Sequence, residues 1–156
     1  MPHSTEKQKV YFIRSSDLRR LRLRSLEAQK MGQNEVCGVL AQRGLRQLEL
    51  WFLTNRSSNA GSFQIERTEL QRARREIRER GKHPIGTFHS HPISEPIPGK
   101  GDMVGAAINS FCLIYDVCGR TAKLWKIAKR HGRRYANEVP LTSLPERNRS
   151  SRPQTR

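Results

Sequence analysis

Apolar and polar positions along this chain follow two periods, and the switches between them mark its elements. Residues 10–13 are apolar enough for a short strand. Ser15, Ser16 and Asp17 offer N-cap side chains for a helix over 17–31. In it Leu18, Leu21, Leu26 and Ala28 share one stripe at 3.6 periodicity, arginines fill the other side, and Gly32 and Asn34 end it. EVCGVLA (35–41) and QLELWFLT (47–54) read as the two strands of a hairpin turning at Gly44. Residues 55–62 form a polar loop, and Phe63 and Ile65 flank a short extended piece. Leu70, Ala73 and Ile77 give the stripe of a second helix over 67–80, which Gly81 stops. PIGTFH (84–89) is a further strand, and Pro92, Pro96 and Pro98 then force an extended loop. Residues 102–109 suit a short helix, 111–117 and 121–127 a second hairpin around Gly119, and 135–141 a last strand. Strands and helices alternate, so the expected class is α/β or α+β: one domain with a central mixed sheet and helices on both sides.

Length and composition narrow this. The chain has 156 residues, 35% of them apolar and 6% aromatic, enough for one domain with a modest core. That domain is expected over 10–142, between a disordered N-terminus at 1–9 and a disordered basic tail at 143–156. No apolar run can span a bilayer, and the N-terminus lacks the apolar stretch of a secretory signal, so a cytoplasmic location is expected. Cys37, Cys112 and Cys118 form no CxxC pair and are read as buried packers, not a disulfide framework. The net charge is +16, with the excess at 19–24, at 72–82 and from Lys123 onward. Such a charge bears on partners more than on fold. It fits attraction to an acidic protein or nucleic acid, and equally solvated helix faces with a basic tail. The arginine-rich segments carry few interleaved aromatics and no nucleic-acid motif, and Trp51 and Trp125 sit in strand patterns that suit a core.

The candidate chemistry lies in His89-Ser90-His91-Pro92, followed by Asp102. Strand side chains alternate, so His89 and His91 point to one face. Two imidazoles and a carboxylate are the ligand set of a catalytic zinc site with its fourth position open to water. Zinc held this way brings the pKa of its water towards roughly 7, which points to a hydrolase. A proton acceptor outside the metal shell is then needed. Glu35 is the best candidate, a charge opening a buried-looking strand just ahead of Cys37 and Gly38; Glu95, in the loop between the ligands, is the runner-up. His3, His83 and His131 have no ligand spacing, and His83 is expected to close a turn before Pro84. Gly99-x-Gly101-x-x-x-Gly105 falls short of a dinucleotide fingerprint and follows a proline loop instead of a strand.

Together, Glu35-Val36-Cys37-Gly38-Val39-Leu40, the HxHP segment and Asp102 resemble the JAMM (MPN-plus) metalloprotease family, its prokaryotic JAB-type members in particular, over residues 10–142. The resemblance implies a cytidine-deaminase-like fold, a mixed sheet flanked by helices. It implies Zn2+ on His89, His91 and Asp102, with Glu35 as general acid/base. It also implies hydrolysis of a peptide or isopeptide bond, often at the C-terminal tail of a ubiquitin-like or sulfur-carrier-like protein. The family usually carries a serine three residues before the metal aspartate, whose hydroxyl helps to hold the oxyanion. Here Gly99 stands there. The missing donor could be replaced by Ser94, by Lys100, or by the backbone N–H of Gly99 or Gly101. The Gly-Lys-Gly sequence reads as a tight turn with Gly99 at positive φ, where a serine would be neutral or worse. Two other functions stay open at this point: a catalytically weak MPN-type binding module, and a nucleic-acid-associated basic protein.

Overall fold

The structure, a computed structural model, describes residues 7–32 and 34–146. The chain runs β1 (Tyr11–Arg14), α1 (Ser15–Lys30), β2 (Cys37–Arg43), β3 (Gln47–Leu53), α2 (Arg67–Glu79), β4 (His83–His91), α3 (Lys100–Gly105), β5 (Phe111–Asp116), β6 (Thr121–Arg130), β7 (Arg133–Val139) and β8 (Leu141–Leu144). All eight strands join one sheet in the order β7-β6-β5-β4-β2-β3-β1-β8. The pairs β4/β5, β1/β3 and β1/β8 are parallel and the others antiparallel, so the sheet is mixed, as the pattern implied.

Alternation along the central strands feeds two faces. Leu40, Leu48, Leu50, Phe88 and Leu113 go to one, where Leu21 of α1 meets them. Val39 and Ala41 go to the other, under Ala73 and Ile77 of α2. On that second face Met103 of α3, with Ala106 just beyond it, packs on Cys112, Ile114 and Ile127. Fully burying such a side chain contributes about 1.5–3 kcal/mol relative to leaving it exposed. The α1 face holds the larger cluster. The α2/α3 face is the thinner one, and it carries the histidines. Some of the basic excess also has a packing role: Arg20 and Arg24 of α1 lie over the Phe52 ring, 5.1 and 4.2 Å from its centre.

Several boundaries differ from expectation, each for a physical reason. β1 runs directly into α1, so Arg14 occupies the N-cap with no side-chain cap bond. Asp17 lies inside the first turn, buried, and accepts a hydrogen bond from Arg20 at 3.3 Å. α3 begins at Lys100, ahead of the expected start. His83 opens β4 opposite Gln42 instead of closing a turn. The expected last strand is two, because Pro140 interrupts it; Ser143 and Leu144 belong to β8 and pair with β1. Residues 7–9 and 145–146 of the expected tails lie outside any helix or strand, and 1–6 and 147–156 lie outside the described residues. Cys37 and Cys112 are buried, whereas Cys118 is exposed and its thiol donates to the Pro92 carbonyl at 3.2 Å.

Gly38 shows why the sequence pairs a cysteine with a glycine on β2. A Cβ there would overlap the Trp51 carbonyl oxygen and sit 2.6 Å from the Phe88 ring. Gly38→Ala is therefore expected to destabilise the protein by about 3 kcal/mol, the upper part of the range for overpacking, because one obstacle is backbone. Urea denaturation checks this; a loss under about 1 kcal/mol would contradict the close packing.

Candidate metal centre and its groove

β4 is a central strand, held by β2 on one side and β5 on the other. His89 sits opposite Cys37 and Ile114, His91 opposite Asp116, and both rings emerge on the α2/α3 face. Ser90, between them, faces the other way and is buried; its hydroxyl accepts the Val36 N–H at 2.9 Å, and its own N–H donates to the Val36 carbonyl at 2.9 Å. This two-way clasp fixes the segment that carries Glu35. Asp102 arrives from the first turn of α3, where Gly99 N–H donates to Oδ2 at 2.8 Å. Arg134 of β7 holds the other end of α3, donating to the carbonyls of Met103, Val104 and Ala106.

The three expected ligands converge. His89 Nε2 and His91 Nε2 are 3.0 Å apart, and Asp102 Oδ2 is 3.4 Å from the first and 3.7 Å from the second. All three atoms lie within 4.8 Å of one another, close enough to bind a single metal ion. His91 Nδ1 lies 2.7 Å from the Glu95 carbonyl, which can only accept, so Nδ1 carries a proton and Nε2 is the nitrogen that can take a metal in place of its own proton. His89 Nδ1 faces Cys112 Sγ at 3.8 Å, and Phe63 stacks on the ring at 4.7 Å. Two imidazole nitrogens and a carboxylate oxygen then face one another, a donor set that fits a divalent cation.

Burial and charge set the protonation of the metal-free group. Burial lowers the pKa of His89, against the pull of Asp102. For His91 burial acts in the same direction but is outweighed by the bonds to Asp102 and the Glu95 carbonyl, and the net shift is upward. Burial disfavours the Asp102 anion, yet hydrogen bonds from His89, His91 and Gly99 hold it well below the usual carboxylate range. Glu35 is only 6% exposed. Burial pushes its carboxyl up to about 7, with His91 opposing and Asp102 adding to the rise. The Asn55 side chain donates to the Glu35 carbonyl at 2.7 Å and to the Ser62 carbonyl at 3.1 Å, tying the polar loop to this residue.

Glu35, His91 and Asp102 line a groove of about 990 Å³ that also receives Phe63, Arg74, Thr87 and Ser110, while His89 is fully buried and not part of its lining. Ser94, Glu95 and Gly99 line it too. Glu95 contributes a carbonyl to His91 while the residue itself is exposed, which separates it from the buried Glu35. The expectation for Gly99 is corrected. It caps α3 at φ −76° and ψ 170°, ordinary extended backbone, and a Cβ would meet only Asp102 Oδ2 at 3.5 Å. Its N–H is engaged by Asp102, so it is committed to orienting that carboxylate. The proline loop has three more anchors: Gln29 and Cys118 donate to the Pro92 carbonyl, and Trp125 Nε1–H donates to Pro96 at 2.8 Å. Sequence reasoning missed Ser90, Asn55, Arg74, Arg134 and Gln29. The polar loop was visible, but nothing local says which of its side chains turns inward.

The fold and site define a class: a mixed sheet whose central strand presents two histidines to a carboxylate on a short helix. Residues 18–128 match the model of prokaryotic homologs of the JAB domain, and the chain belongs to that family. It is 34% identical over 71 residues to a desampylase of Pyrococcus furiosus, a stretch covering 46% of this chain and 51% of that protein. The chain thus spans about half the length of this curated relative. Among solved structures, a Desulfitobacterium hafniense protein superposes with a TM-score of 0.73 at 21% identity, covering 91% of this chain and 97% of that one. A Salinibacter ruber protein gives a TM-score of 0.56 at 19% identity, over 83% and 90%. At those identities the two likenesses concern the fold. Among the described residues no helix is long and apolar enough to cross a membrane.

Two outcomes follow from this geometry. Because the Glu35 carboxyl rises from 4.5 to about 7 on folding, the folded state holds that proton more tightly than the unfolded chain. In chelator-treated protein its contribution to stability is fully present below pH 4.5 and is lost as the pH rises through about 7. Wild-type stability minus that of Glu35→Gln, measured by urea melts across this range, is expected to fall; a flat difference would contradict the burial effect. Gly99→Ser is expected to leave stability within about 0.5 kcal/mol of the wild type or slightly above it, since serine is at least as good an N-cap as glycine. A loss above about 2 kcal/mol on thermal unfolding would show a strained backbone there.

Proposed function

We propose that this chain is a zinc-dependent metallopeptidase of JAMM type. It hydrolyses a peptide or isopeptide bond at the C-terminal tail of a ubiquitin-like or sulfur-carrier-like protein. The observation that carries the reading is the convergence of His89 Nε2, His91 Nε2 and Asp102 Oδ2 within 4.8 Å, with His91 and Asp102 lining a groove shared with a buried Glu35. Bound zinc would supply a Lewis acid for the scissile carbonyl and for water. The rest falls to the chain. Asp102, oriented by Gly99 N–H, and His91, oriented by the Glu95 carbonyl, keep their ligand atoms aimed at one point. Glu35 takes the proton from the attacking water and returns it to the leaving amine. A carboxyl near neutrality exchanges a proton in both directions at working pH. Burial of Glu35 keeps this carboxyl largely out of bulk water. Family membership supports a hydrolase, and the similarity to a desampylase supports a ubiquitin-like substrate.

One observation favours a second reading, a catalytically weak binding module. Gly99 brings no hydroxyl, and its N–H is occupied by Asp102, which leaves Ser94 and the Gly101 N–H as candidate oxyanion donors; Lys100 does not line the groove. If that lack limits turnover, Gly99→Ser raises the rate by about tenfold or more, since one oxyanion donor is worth roughly 2.7–4 kcal/mol.

Purified protein is expected to hold about one zinc per chain, and His89→Ala or Asp102→Ala to lose it, because three protein ligands leave no redundancy. Glu35→Gln should keep the metal and lose roughly 10²–10⁴-fold in cleavage of a ubiquitin-like protein fused through its tail. Elemental analysis and cleavage assays read both. Zinc retention in the ligand variants, or full activity in Glu35→Gln, would contradict the assignment.

A further inference from the structure

The groove extends beyond the metal ligands, and one side chain in it is not used by the mechanism above. α2 carries arginines at 67, 72, 74, 75 and 78. Arg67, Arg72, Arg75 and Arg78 are exposed; Arg74 is half-buried and turned into the groove. Helix periodicity accounts for the turn. Arg74 stands one turn from Leu70 and shares the inward side with Ala73 and Ile77, which pack on Val39 and Ala41. It is the only lysine or arginine lining this groove among the described residues. No carboxylate pairs with its guanidinium within 4.0 Å and no hydrogen bond engages that side chain among the described residues, although Glu35, Glu95 and Asp102 line the same groove. Other basic side chains do have partners: Lys82 has Glu49, Arg20 has Asp17, and Arg134 has the end of α3.

The packing of α2 sets its place along the groove. Ala73 belongs to one buried cluster with Val39 and Ala41, Val39 pairs with Thr87 of β4, and Thr87 and Gly86 line the groove together with Arg74. Thr87 lies two residues before His89 on β4, about 7 Å along the strand at the usual rise. That is a distance of about two residues of an extended peptide lying over β4. A guanidinium partly removed from water and left without an anion costs free energy, which a carboxylate arriving with the substrate would recover through a two-pronged, charge-assisted contact.

We propose that Arg74 is a specificity-determining residue of the groove, binding a carboxylate of the substrate about two residues from the scissile bond. The proposal rests on the peptidase reading of the same groove and adds the chemical class it selects: an acidic side chain, or the free terminal carboxylate of a short leaving segment. Lysine would not substitute fully, because it offers a point charge in place of the planar fork.

Binding to the zinc-loaded Glu35→Gln protein tests this without turnover. The probes are short synthetic peptides with a ubiquitin-like tail sequence, supplied in matched pairs. One series exchanges Glu for Gln at a single position at a time on either side of the scissile bond; the other exchanges a C-terminal acid for its amide. Calorimetry is expected to show the carboxylate member of one pair binding about 10–100-fold more tightly, and the pair that responds identifies the source of the carboxylate. Adding Arg74→Met, which keeps the apolar stem and its helix propensity, should bring that ratio close to one. Adding Arg74→Lys should leave part of it, and adding Arg74→Glu should invert it. Equal affinity within every pair, no binding by any probe, or a ratio that persists in Arg74→Met would overturn the proposal. Cleavage of the same peptides by the wild type is scored separately. Failure to cut any of them would remove the peptidase reading, while the binding ratios still decide the role of Arg74.

Discussion

Two imidazoles placed side by side on a buried central strand are the constraint on which the rest of the molecule depends. His89 and His91 have their Nε2 atoms 3.0 Å apart, with a carboxylate oxygen 3.4 and 3.7 Å from them. Each neighbouring element acts to hold these three groups together. β2 and β5 flank β4 and fix the pleat that turns both rings the same way. α3 delivers Asp102 with its carboxylate steadied by a backbone N–H, and Arg134 reaches from β7 to hold the far end of that helix. The proline loop between the ligands is fastened to α1, β6 and the turn after β5.

The face that bears this site is the thinner side of the protein. The main apolar cluster lies on the opposite face, beneath α1, so a polar centre can be kept on the α2/α3 side without opening the core. Glu35 shows the same division. Its carboxyl is kept from water and pushed to about 7, a destabilising placement above that pH in the metal-free protein, and the clasp between Val36 and Ser90 holds the segment against it. A group of that pKa suits proton transfer at neutral pH, so what costs stability is also what suits the chemistry.

Much of this was legible in the sequence because the relevant signals are periodic. The HxH spacing alone put two rings on one face of a strand. The stripes Leu70–Ala73–Ile77 and Leu18–Leu21 located the helices, and the EVCGVL and QLELWFLT runs located the paired strands, whose register only the structure supplies. What stayed hidden depends on contacts distant in the chain. The Glu95 backbone, and not its side chain, serves the site, because only its carbonyl reaches His91. Gly99 read as a positive-φ turn, yet its backbone is extended because it caps a helix beginning one residue later. Arg134 and Arg74 were part of an undifferentiated basic surplus, and only their positions beside α3 and in the groove distinguish them.

X-ray absorption at the zinc edge of the metal-loaded protein tests the central claim most directly. The account predicts two imidazole nitrogens and one carboxylate oxygen at about 2.0–2.2 Å, a fourth light-atom ligand from solvent, and no sulfur. A sulfur ligand near 2.3 Å would place Cys112 or another thiol on the metal in place of His89, His91 or Asp102, and would contradict it.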